Sequence, residues 1–509
     1  MTRSGRRATA LATVAALLAV AATGCGDDDK GQAAKAPKLT WDSCPAPSAA
    51  EGIGEPPGAE WQCAALDVPL DYADPDGDTI ELALIRAKAL DKKNRIGSLV
   101  YNFGGPGGSG VANLPGAAKD YQRLRARYDL VSFDPRGVGR SAAVRCESDQ
   151  ELDAYYQTDS SPEGPAEEQA FTAGIRRYAA ACEKNSGTVL PHVGTLNAAR
   201  DLDRIRAALG DEKLHYFGIS YGTELGGVYA HLFPAKVGRA VFDAVVDPTK
   251  TAEQSALGQA KGFQLALGNF AQDCVERGEK CLLPGATAKE VEQGIVELQE
   301  RLRSKPIAVG TRKLTETAAT NGIAQALYSK EYWPLLEQGL DEADGGQGQL
   351  LLALSDAMNG RNPDGTYSNL NAANTAINCA DSKERFTLAQ TKERLPRFRA
   401  ASAVFGDFLG WGLMGCSSWP VAGAWQTPDV SAAGSAPILV IGNTGDPATP
   451  YEGARRMVQK LGPGVGVELT YEGEGHGAYN SGDPCVQKAV DAYLLQGTVP
   501  PARQVCPGT

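Results

Sequence analysis

Leu214-His215-Tyr216-Phe217-Gly218-Ile219-Ser220-Tyr221-Gly222-Thr223 decides the fold of this 509-residue chain. Leu214 to Ile219 reads as a short strand, and Thr223 to Phe233 reads as a helix stopped near Pro234. Between them stands Gly-x-Ser-x-Gly, residues 218–222. A tight turn at this point strains Ser220, and the flanking glycines let strand and helix approach closely. The hydroxyl then projects above the sheet, with the next backbone N–H aimed at the same point. Five-residue matches occur by chance. A strand before it and a helix after it separate this one from a plain turn serine.

Working outward, the same alternation repeats. Ile96 to Phe103 is an apolar strand ending in the turn Gly104-Gly105-Pro106-Gly107-Gly108-Ser109-Gly110. Tyr128 to Phe133 is a second strand, closing on Asp134-Pro135-Arg136-Gly137, and Arg239 to Val246 is another. Thr195 to Leu209 has helical apolar spacing and stops at Gly210. Strands alternating with helices predict an α/β fold with a mostly parallel sheet. The rhythm breaks near residue 248. Helical patterns then fill 252–274, 288–303, 318–328 and 351–358. Strands return at 436–442 and 466–471, with a last helix at 484–495. The expectation is a sheet domain, 39–248 and 431–509, split by a large helical cap at 249–430.

Hydrophobic residues are 42% and charged residues 22% of the chain, ordinary globular usage, which excludes a fibre, a disordered tail and a multi-span membrane protein. A net charge of -11 argues against a nucleic-acid partner, because phosphate neutralisation needs clustered Lys and Arg. Arg3, Arg6 and Arg7 precede an apolar run from Ala8 to Ala22, the pattern of an export signal over residues 1–24. Ala22-Thr23-Gly24-Cys25 resembles a bacterial lipobox, so Cys25 is the expected lipidation site, with residues 25–38 as a polar tether. The chain is thus expected to be exported, either as a lipoprotein on the outer face of the membrane or released. Ten further cysteines read as up to five disulfides. Spacing does not fix their connectivity. Sequential pairing is the expectation, because neighbours such as Cys274 and Cys281 close short loops. No metal or cofactor is expected, since there is no Cys-x-x-Cys and only four His.

A serine nucleophile needs a base. His215 falls within a strand, His231 late in a helix and His192 just before one. His476 lies in Glu474-Gly475-His476-Gly477, after the last core strand, where an imidazole can reach Ser220. Asp446, in Asn443-Thr444-Gly445-Asp446-Pro447, follows the strand APILVIG and is the expected third member, holding the imidazole tautomer. Thr449 is near enough to bond the Asp446 region or to cap the helix after Pro450. Two oxyanion donors are expected: the backbone N–H of Tyr221 and, from the glycine-rich turn, that of Gly105. This turn lacks the Gly-Lys-Ser/Thr ending of a phosphate loop.

Phe103-Gly104-Gly105-Pro106-Gly107 resembles the HGGPG turn of proline iminopeptidase-like α/β-hydrolases, with Phe103 in place of His. Asp134 to Ser141 resembles their D-x-R-G-x-G-x-S segment. Among them the chain is most similar to the secreted tripeptidyl aminopeptidases. The resemblance implies an α/β-hydrolase fold and a serine exopeptidase acting on peptides with a free N-terminus. Such an enzyme needs an anion for the substrate ammonium and a cap that blocks longer extensions. Glu224, one turn past Ser220, and Asp381 are the candidates. Their alternatives are a buried, paired carboxylate and a disulfide-adjacent cap residue. A lipase or esterase with the same triad is the rival enzyme, and a surface-binding lipoprotein with a vestigial site the non-catalytic one. A carboxylate-nucleophile dehalogenase or epoxide hydrolase is disfavoured by Ser220 itself.

Overall fold

A computed structural model describes residues 39–508; the expected leader, Cys25 and the whole of the tether lie outside the described residues. The strands are β1 Asp42–Ser43, β2 Trp61–Pro69, β3 Thr79–Ala87, β4 Gly97–Asn102, β5 Tyr128–Phe133, β6 Leu214–Ile219, β7 Val237–Asp243, β8 Ile307–Val309, β9 Arg312–Leu314, β10 Ile438–Gly445, β11 Gly466–Glu474 and β12 Gln504–Pro507. Ten of them form one sheet in the order β1-β2-β3-β5-β4-β6-β7-β10-β11-β12. From β5 to β12 every neighbouring pair is parallel, while β1, β2 and β3 join antiparallel at one edge. β4, β5 and β6 are buried or nearly so along their length, as a sheet covered on both faces requires. One face packs on Val100, Val131, Tyr216, Phe242 and Val440; the other packs on Leu99, Tyr101, Phe217, Val241 and Ile441. Each large apolar side chain so buried contributes about 1.5–3 kcal/mol.

The chain leaves β4 for β5 on one side and returns to β6 on the other. The sheet therefore changes direction between β4 and β6, and a crevice opens at their carboxyl ends. Asn102 pairs with Gly218 in register, which sets the glycine-rich turn beside Ser220. The predicted core helices form at Thr195–Ala208, Tyr221–Leu232 and Pro484–Gln496.

Between β7 and β10 the chain is helical apart from the hairpin β8–β9, which the sequence reading did not anticipate. These helices carry their own apolar centre, with Phe263, Phe270, Leu298, Ile323, Trp333 and Leu351 buried in it. Two further helices, Asp149–Tyr156 and Pro165–Ser186, arise before residue 248. Ile175 from the second packs on Leu395, Trp411 and Met414, so this helical layer draws on sequence from both sides of β6. The antiparallel edge β1–β3 was also not anticipated. Five disulfides join sequential cysteines: 44–63, 146–182, 274–281, 379–416 and 485–506.

Candidate active site

Ser220 sits between β6 and the Tyr221–Leu232 helix with φ 58° and ψ −126°. A non-glycine residue so placed carries about 1–3 kcal/mol of strain and persists only where its surroundings hold it. Here the Ser220 N–H donates to the Asp243 carbonyl at 3.0 Å, and the Thr223 N–H and hydroxyl donate to the Ser220 carbonyl at 2.8 and 2.7 Å. Gly104 lies against this turn. A β-carbon there would meet the Ile219 carbonyl at 2.5 Å and Ser220 Cβ at 2.8 Å, and Gly104 has φ +84° besides. Only glycine lets the turn approach so closely. That β-carbon would also lie 3.2 Å from the Tyr221 nitrogen, whose N–H opens a helix and has no intrahelical acceptor. Gly105 and Tyr221 both line the cavity that contains Ser220.

His476 Nδ1–H donates to both Asp446 oxygens, at 2.9 and 3.0 Å. Asp446 also accepts the N–H groups of Ala448 and Thr449 at 2.9 and 2.8 Å and the Thr449 hydroxyl at 2.9 Å. Thr449 therefore bonds the carboxylate. The Asp446 contact orients Nε2 as the free ring nitrogen. Burial works against the imidazolium, but the Asp446 carboxylate outweighs it by charge and hydrogen bond. With Asp243 behind, it holds His476 above its usual pKa. Among the described residues Ser220 Oγ has no hydrogen bond to His476; such contacts commonly tighten only with substrate in place.

Asp243, at the end of β7, was not singled out from sequence. Its carboxylate accepts the N–H groups of Ala478 (2.9 and 3.1 Å) and Tyr479 (2.9 Å), while its carbonyl holds Ser220. One residue thereby ties the serine turn to the histidine loop. Burial raises its pKa despite those donors. The helical layer reaches the same loop: the His476 N–H donates to the Tyr328 carbonyl at 2.7 Å, and the Tyr328 ring stands edge-on to the imidazole at 5.1 Å. The other histidines lie elsewhere, His215 within β6 with its pKa pushed down to about 4 by burial, then by neighbouring cations.

Glu224 and Asp381 come together. Both line a cavity of about 430 Å³ that also contains Ser220. Burial, and then the Asp381 charge, push Glu224 up to about 8. Burial pushes Asp381 up to about 7, even though it accepts the Thr195 N–H at 2.9 Å and the Thr195 hydroxyl at 2.6 Å. Half-buried Glu224 and buried Asp381, on one cavity lining where Lys250 is paired with Asp247, form a site suited to a positive group. Asp381 ends the Leu370–Asp381 helix, whose Asn371, Asn374 and Asn378 line the same cavity. Asn374 Nδ2 donates to the Pro106 carbonyl at 3.0 Å.

The family model described as "TAP-like protein" matches residues 402–506. The serine protease Hip1 of Mycobacterium tuberculosis (strain ATCC 25618 / H37Rv) is 40% identical over 461 residues, covering 87% of each chain. The tripeptidyl aminopeptidase of Streptomyces lividans is 34% identical over 445 residues, covering 86% of this chain and 82% of its own. This chain belongs to the TAP-like family of α/β-hydrolases. It is an enzyme of a serine hydrolase family whose members include named proteases and aminopeptidases. A further relative, carboxylesterase B of M. tuberculosis (strain ATCC 25618 / H37Rv), is 36% identical over 485 residues, covering 92% of this chain and 90% of its own.

The Asp134–Ser141 segment holds the core together. The Arg136 guanidinium is wholly buried and pairs with Asp201 at 2.6 and 2.7 Å. Asp134 accepts the Ser109 hydroxyl at 2.6 Å and the Arg140 N–H at 2.9 Å, which ties this segment to the glycine-rich turn.

Proposed function

We propose that this chain is an exported serine exopeptidase that releases short peptides, tripeptides in particular, from free N-termini through an acyl-enzyme. Ser220 Oγ attacks the scissile carbonyl while His476 Nε2 takes its proton. Asp446 holds the tautomer and stabilises the imidazolium. The Gly105 and Tyr221 amides receive the oxyanion. His476 then protonates the departing amine, and water, activated by the same imidazole, releases the peptide from Ser220. The observation that carries the reading is the Glu224–Asp381 pair in one cavity with Ser220, a site for the substrate ammonium.

Helix geometry supports the length. Asn374, which contacts the oxyanion turn, and Asp381 lie seven residues apart on one helix, a rise of about 10 Å at ~1.5 Å per residue. Three extended residues span about the same distance. Export is supported by the 1–24 pattern and by five disulfides, which persist in oxidising compartments. Lipidation at Cys25 belongs to the same reading. Among the described residues no helix is long and apolar enough to cross a membrane.

The test compares a free-amine tripeptidyl p-nitroanilide with its N-acetylated twin, with Ser220→Ala as control. Turnover of the free peptide alone is expected. Equal turnover of both removes the exopeptidase reading. The relative named carboxylesterase B favours a second reading, ester hydrolysis at the same serine; it predicts that simple acyl esters lacking an amine are the better substrates.

A further inference from the structure

A second cavity, about 280 Å³, adjoins the first and shares Met358, Asn371, Asn374 and Phe408 with it. Its walls include Tyr155, Tyr156, Phe171, Ile175 and Tyr178, from the two helices that precede the core serine in sequence. The aromatic rings brace one another: Tyr155 stacks on Tyr178 at 5.1 Å between ring centres, and the Asn371 amide donates to the Tyr156 hydroxyl at 3.0 Å. Asn321, only 6% exposed, lines the cavity, and among the described residues its amide has no hydrogen-bond partner.

The position of this cavity relative to the reacting bond follows from the chemistry. The leaving amine must face His476 to be protonated, so the leaving chain runs along Tyr328, Ala448 and Thr449, which line only the first cavity. The ammonium end lies toward Asp381. The second cavity opens at Asn374, beside the Pro106 carbonyl and hence beside the oxyanion turn. The substrate group nearest that turn, other than the carbonyl itself, is the side chain on the acyl carbon's neighbour.

We propose that this second cavity binds the side chain of the residue whose carbonyl is cleaved, and that it selects a large apolar or aromatic one. The assignment rests on acyl transfer at Ser220. It does not need the ammonium site. Aromatic walls favour such a side chain by area buried, and the Asn321 amide is available to a tyrosine hydroxyl. Asp159 is the one carboxylate on the lining, and its Oδ1 already accepts the Ser161 N–H at 2.8 Å.

Gly174 supplies the test. It is buried within the Pro165–Ser186 helix and lines the cavity, and a β-carbon added there meets nothing within 4 Å. Gly174→Leu places a branched side chain on the cavity lining from a position where the β-carbon itself is unobstructed. The panel is free-amine Ala-Ala-X p-nitroanilides and N-acetyl-X p-nitrophenyl esters, with X as Ala, Leu, Phe or Lys. The wild-type enzyme is expected to favour Phe and Leu over Ala by about tenfold or more in kcat/KM. Gly174→Leu is expected to lower kcat/KM for the Phe and Leu substrates to about the value for the Ala substrate, with circular dichroism checking that the fold is kept. A preference for Lys, which would put Asp159 in charge, overturns the proposal. So does a Phe preference that survives in Gly174→Leu. The esters separate the two readings: loss of amine dependence with the X preference intact sinks the aminopeptidase assignment alone.

Discussion

At the scale of single residues, the chemistry rests on a strained serine and a doubly bonded carboxylate. Ser220→Ala is expected to lower kcat by about 10⁶, and Asp446→Asn by about 10⁴ through the wrong imidazole tautomer. Steady-state kinetics with intact circular dichroism checks both. Asp243→Ala removes the acceptor of the Ala478 and Tyr479 amides, so kcat is expected to fall with KM little changed. The Glu224–Asp381 pair sets a pH dependence. Their pKa values lie at about 8 and about 7, so below pH 6 both carboxyls are largely protonated and hold an ammonium poorly. KM for a free-amine peptide is therefore expected to fall as pH rises from 6 to 8, while KM for an N-acetyl ester shows no such trend. A flat free-amine profile would refute the anchor.

At the scale of elements, the glycine-rich turn is clamped between the serine turn and the Leu370–Asp381 helix. A β-carbon at Gly107 would lie 2.4 Å from the Leu370 carbonyl and 2.9 Å from the Asn374 nitrogen. Gly107→Ala is expected to push turn and helix apart, costing about 1–3 kcal/mol in stability and lowering kcat. Thermal unfolding and kinetics on one preparation measure both. Most of these elements were legible. The Gly218–Gly222 pattern has a strand before it and a helix after it, and the APILVIG run became part of β10. The Asp149–Tyr156 and Pro165–Ser186 helices were missed. Their polar sequence carries weak periodicity, and Tyr156 and Phe171 find their partners, Tyr367 and Trp411, far along the chain.

At the scale of the whole molecule, core and helical layer are joined by contacts between distant segments. His476 is held from the helical layer by Tyr328, and Gly139 N–H donates to Asn369 Oδ1 at 3.0 Å. Deep in the core, the Arg136–Asp201 pair has no exposed surface on either partner, and Tyr72 adds a hydrogen bond to Asp201 at 2.7 Å. Arg136→Met leaves Asp201 buried without its cation and is expected to cost about 3–5 kcal/mol. Chemical denaturation reads that loss, and a change below about 1 kcal/mol would show that Tyr72 alone satisfies the carboxylate.

The sequence by itself determined the α/β alternation and the strained serine turn. It also determined the order Ser220, Asp446, His476, because each of these is written in a few neighbouring residues obeying local backbone rules. It named Glu224 and Asp381 as two alternative candidates for holding the substrate ammonium. Only the tertiary structure decided that they meet on one cavity lining, that Asp243 holds two loops at once, and that aromatic residues from before the serine wall a cavity adjoining the one that contains it. Those are juxtapositions of side chains far apart in the chain, set by how helices close over a sheet, and no local pattern encodes them.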